Sequence, residues 1–67
     1  MVITVSAGER ILLQRLLEEE LKSVRVRIHH THDAELRTSL KDQERTVRRL
    51  LGRVEAAREV LETRVIV

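Results

Sequence analysis

Three histidines and an aspartate crowd into five positions, as His29, His30, His32 and Asp33, and they are the one grouping in the chain suited to a metal ion. Imidazole and carboxylate ligate borderline metals such as zinc and nickel. The spacing argues against a site. Successive residues of a helix point about 100° apart, so His29 and His30 diverge, and no second His–Glu pairing at helical spacing accompanies them. In a helical chain only His29 and His32 converge, around a turn; in an extended chain His30 and His32 share a face. Either pair would need a symmetry-related cluster to close a site. A polar turn accounts for the same residues more simply. Thr31 or Asp33 can cap a following helix, and His29 and His30 suit the carboxyl end of a preceding one. No metal or cofactor is therefore expected.

Catalytic groupings are equally sparse. There is no cysteine, and no serine lies at a recognisable spacing from the histidines to serve as a nucleophile. Carboxylates recur at Glu18, Glu19 and Glu20 and again at Glu55 and Glu59. The second pair lies one helical turn apart but beside Arg58 and Glu62, which read as a charged, solvated helix face. Neither set has the facing Glu and Glu-x-x-His arrangement of a di-iron bundle. The expectation is a protein that is not an enzyme.

The basic run carries more information. Lys41, Arg45, Arg48, Arg49 and Arg53 stand against Asp42 and Glu44, and the first four share much of one helical face. Such a face could meet nucleic-acid phosphates with salt-dependent affinity. The chain has no aromatic residue to stack on bases, and neither terminus supplies a basic arm. The same face could instead meet Glu18, Glu19 and Glu20 of another helix. The net charge of +2 makes a weak steering field despite a sequence pI near 9.9. Nucleic-acid binding is thus the alternative reading, behind interhelical or solvent roles.

The elements that would position these groups follow from apolar spacing. Leu36, Leu40, Gln43, Val47, Leu50, Val54, Ala57 and Leu61 fall on a 4-3-4-3 repeat, a heptad seam with one polar break. The break at Gln43 suits register selection or a wet edge, and Ala57 leaves room for a bulky residue such as Leu12 or Leu13 opposite. An earlier stripe, Ile11, Leu12, Leu13, Leu16, Leu17 and Leu21, is too broad for one coiled-coil seam and fits a multi-helix core. It opens on Ser6-Ala7-Gly8-Glu9, a capping-box pattern that Gly8 weakens slightly.

Between them, Val24 to His29 alternates with period two, as a half-buried strand would. No Gly, Pro or Asn separates Leu21 from Val24, and Glu18 and Lys22 form a favourable i,i+4 pair. A continuous helix is favoured, with Val24 and Ile28 extending the stripe and Val26 facing solvent. The sequence thus predicts helix 1 over about 7–29, a turn over 30–32 and helix 2 over about 33–62. Their lengths would be about 34 and 45 Å at 1.5 Å per residue. So short a turn enforces an antiparallel hairpin. It also brings together Val2-Ile3-Thr4-Val5 and Arg64-Val65-Ile66-Val67, β-prone and opposite in sense. They can pair within a chain or across a dimer, but a lone two-stranded ribbon is marginal in water, and frayed tails are the favoured expectation.

A chain of 67 residues without Phe, Tyr, Trp or Cys has little from which to build a monomeric core. Self-association adds buried area most simply, and it would make stability depend on concentration. The expected fold class is all-α: an antiparallel helical hairpin that pairs into a four-helix-bundle dimer, with short β-prone termini. Leu13, Leu17, Leu21, Leu50, Leu51, Val54 and Val60 are the expected interface residues. The function expected is that of a small structural or protein-interaction module. No apolar run approaches the roughly 18 residues of a membrane span and no basic leader precedes Val2, so a cytoplasmic protein with no membrane contact is expected.

Overall fold

A computed structural model describes residues 2–57 and 63–66. Four elements follow in order: β1 (Val2–Val5), α1 (Ala7–His30), α2 (Ala34–Ala56) and β2 (Thr63–Ile66). The two helices pack against each other as a hairpin, and the two strands form an antiparallel ribbon at its open end.

α1 starts where the sequence provides a start. Ser6 is extended, its Oγ accepts the Glu9 N–H at 3.1 Å, and the Ser6 N–H donates to Glu9 Oε1 at 2.8 Å, so two otherwise orphaned amides are satisfied. The Ser6 N–H bond to the carboxylate, with the Ser6 hydroxyl beside it, lowers the pKa of the Glu9 carboxyl from its ordinary value. The helix runs without a break through Val24 to His29. Its geometry separates two valines: Val24 is 0% exposed and Val26 is 56% exposed. A period-two strand would have put them on one face.

Thr31, His32 and Asp33 make the turn. Asp33 is the cap of α2, accepting from the Glu35 and Leu36 N–H groups at 2.9 and 3.1 Å. The seam then buries Leu40, Val47, Val54 and Ala57 against α1. Val54 and Ala57 form a cluster on which Val5, Leu13 and Leu17 pack, so Leu13 fills the space opposite Ala57 and β1 closes over the same end. Leu12 lies outside that contact and is 53% exposed.

Two expectations require correction. The terminal segments pair within one chain, with Val2↔Ile66, Ile3↔Val65, Thr4↔Arg64 and Val5↔Thr63 in register. The all-α assignment therefore gains a two-stranded ribbon. The helical hairpin holds the two segments at one end, which removes most of the loop-closure entropy that makes an isolated ribbon marginal. Leu36, placed at the head of the seam, is 51% exposed. It sits in the first turn of α2, level with the connecting turn past the end of α1 at His30, where it lines an open cleft with Arg27, His30 and Thr31 and is not covered. The seam's last member, Leu61, and the expected run of helix 2 to residue 62 lie outside the described residues.

The hairpin measures 45 × 20 × 13 Å between Cα atoms. It is one layer of helix, two helices wide. Among the described residues, no helix is long and apolar enough to cross a membrane.

Candidate interaction surface

A single layer of two helices has two broad faces, and polar links between the helices identify which residues belong to each. On the first face, Gln43 Nε2 donates to Glu20 Oε1 at 2.9 Å, and Arg27 Nη2 donates to the same oxygen at 3.2 Å. Leu16 and Leu12 lie one and two turns before Glu20 on α1, while Leu50 lies one heptad after Gln43 on α2, so all three border this face. On the second face, Arg25 Nε donates to Glu44 Oε2 at 3.0 Å. Leu21 lies one turn before Arg25 and Leu51 one heptad after Glu44, so both border that one.

Burial separates one of the expected interface residues from the others. Val54 is fully buried inside the hairpin, and Leu13, Leu17, Leu21, Leu50 and Leu51 are half-buried. Val60 lies outside the described residues. The apolar side chains left most open on α1 are Ile11, Leu12, Leu16 and Val26. Of these, Ile11, Leu12 and Leu16 belong to the broad early stripe, whose width exceeds what one partner helix can cover.

The basic residues Lys41, Arg45, Arg48, Arg49 and Arg53 are all exposed. Arg45 pairs with Asp42 on its own helix. Among the described residues the other four make no ion pair. Glu18 accepts from Gln14 at 3.2 Å, while Glu19, between it and the paired Glu20, is exposed and makes no ion pair among the described residues. Surface pairs of this kind each contribute at most about 1 kcal/mol and set register more than stability.

His29, His30 and His32 are exposed around the connecting turn, and the Asp33 carboxylate is committed to two backbone amides. Among the described residues, no three His, Cys, Asp or Glu side chains are grouped so as to hold a metal ion. A shallow cleft lined by Arg27, His30, Thr31, Leu36 and Leu40 lies beside the turn. It is open to solvent and contains no facing nucleophile and base.

The sequence allows the ribbon but favours frayed tails over it. Its signal was the opposite sense of two β-prone tails, and the hairpin supplies the proximity that turns it into structure. Comparison of the chain with protein-family models, with curated proteins and with solved structures gives no match.

Proposed function

We propose that this chain is a small structural or protein-interaction module that acts by associating with a second copy of itself through helix packing. One observation carries the reading. The whole chain exposes 5215 Å² of surface, whereas the scaling for compact monomers gives about 4400 Å² at this mass. The excess of about 800 Å² equals what each partner buries in a standard protein–protein interface. The fold is a single layer 13 Å thick between Cα atoms, and globular domains normally bury their apolar faces between at least two layers. Docking a second layer converts half-covered leucines into a shared core and produces the four-helix bundle. Light scattering coupled to size exclusion tests this, with twice the 7.8 kDa chain mass expected. A monomer across the accessible concentration range would sink the proposal.

A second reading is favoured by the exposed cations of α2. Lys41, Arg48, Arg49 and Arg53, with no ion pair among the described residues, could contact nucleic-acid phosphates. Titration of labelled duplex and single-stranded oligonucleotides at two salt concentrations tests it. Binding must weaken steeply with salt and disappear on charge reversal of Arg48 and Arg49. No binding at low salt would eliminate it.

A further inference from the structure

We infer that the second copy docks on the face bearing Leu12, Leu16 and Leu50, about a twofold axis parallel to the helices, so that the two ribbon ends lie together. The inference rests on the self-association reading and adds which face and which arrangement.

The distribution of exposed apolar side chains selects the ribbon end. Six of the eight exposed large hydrophobics, Val2, Ile3, Ile11, Leu12, Leu16 and Ile66, lie in the ribbon or in the first three turns of α1, and the other two, Val26 and Leu36, lie towards the turn. Along the face carrying the Glu20–Gln43 bond, the apolar groups concentrate in the ribbon half, with Leu36 beside Arg27 the exception towards the turn. Towards the turn, the same face carries Ser23 and Arg27 from α1 and Glu35 and Ser39 from α2, placed by the 100° advance per residue. An axis perpendicular to the helices through the middle of the hairpin would lay Leu12 and Leu16 on the turn half. The parallel axis lays them on the partner's own apolar half, with α1 of one copy over α2 of the other.

Charge completes the match. The Arg25–Glu44 pair and the packing of Leu13 and Leu17 on Val54 and Ala57 set which residues of α1 and α2 stand about level. Carried along both helices at equal rise, that register sets Leu16 level with Arg53 and Glu19 level with Leu50, and the parallel axis preserves these levels between copies. Glu19 then approaches Arg49 of the partner subunit, and Leu16 packs against the partner's Leu50, beneath the aliphatic stem of the partner's Arg53. Glu19, Arg49 and Arg53 make no ion pair within the described hairpin, so they are free to pair across copies. The perpendicular axis offers no such matching, since it sets Glu20 near Glu20 of the partner subunit.

The natural chain has no cysteine, so a single His32→Cys substitution places a unique thiol at the exposed turn. With the parallel axis the two turns are neighbours, and a short bismaleimide links them. With the perpendicular axis they stand apart by nearly the 45 Å length of the hairpin, and it does not. Leu16→Asp should weaken the dimer at least about a hundredfold and abolish the link, because each charge is introduced twice. Leu16 is 56% exposed in the hairpin, so helicity should survive; Leu12→Asp provides the same test independently. Val26→Asp, on the outer edge of α1, should leave the dimer intact. A dimer that does not link through His32→Cys, that tolerates both leucine substitutions, or that Val26→Asp dissociates overturns this arrangement while leaving self-association standing. A natural chain that stays monomeric overturns both.

Discussion

Val24 and Val26 allow the fold to be tested by one chemical change at two positions. Each Val→Ala substitution removes the same two methyl-group equivalents and gains the same helix propensity, so the difference between them isolates burial. Val24 is 0% exposed between the helices and Val26 is 56% exposed on the outer edge of α1. At about 0.8 kcal/mol per buried methylene, Val24→Ala loses about 1.6 kcal/mol of transfer free energy, and the unfilled space adds to that. Val26→Ala recovers helix propensity and loses little, so its effect should lie within about 0.5 kcal/mol of zero. The predicted gap is about 2 kcal/mol, a large fraction of the total stability of so small a domain. Urea unfolding followed by far-ultraviolet circular dichroism, at matched protein concentration, measures it. Equal destabilisation by the two changes is what a half-buried strand over residues 24–29 would give, and it would refute the helical hairpin.

Two further outcomes concern the helix starts. Asp33→Ala removes the acceptor for two α2 amides and should cost about 1 kcal/mol in the same urea assay, whereas Asp33→Asn should retain most of the stability. Glu9 has a folded-state pKa lowered by its bonds to Ser6, so its contribution is fully present above the ordinary glutamate range and is lost as pH falls through the folded value. Urea midpoints of the natural chain should therefore drop on acidification more than those of Glu9→Gln, and identical acid dependence would contradict the capping box.

Much of this architecture was legible because local signals agreed. Ser6 with Glu9, and Asp33 before Ala34, mark both helix starts, and the heptad seam buries Leu40, Val47, Val54 and Ala57. The misplacements arise where tertiary position decides. Leu36 has the right spacing, but α1 has ended before reaching it, and periodicity along one helix carries no information about the length of its partner. The ribbon depends on proximity imposed by the hairpin, which is invisible to strand propensity alone. Gln43 reads as a polar break, yet its partner Glu20 could be identified only once the register between helices was fixed. For the interaction surface, the excess width of the α1 stripe was readable, whereas its division into two faces required the crossings Glu20–Gln43 and Arg25–Glu44.

The central claim is that folding and self-association are coupled. Sedimentation equilibrium on the natural chain, combined with thermal unfolding over a hundredfold range of concentration, tests it most directly, because mass action ties the stability of a dimer to protomer concentration. The account predicts a mass twice that of the chain and an unfolding temperature that rises with concentration. A single-chain mass with a concentration-independent transition would contradict it.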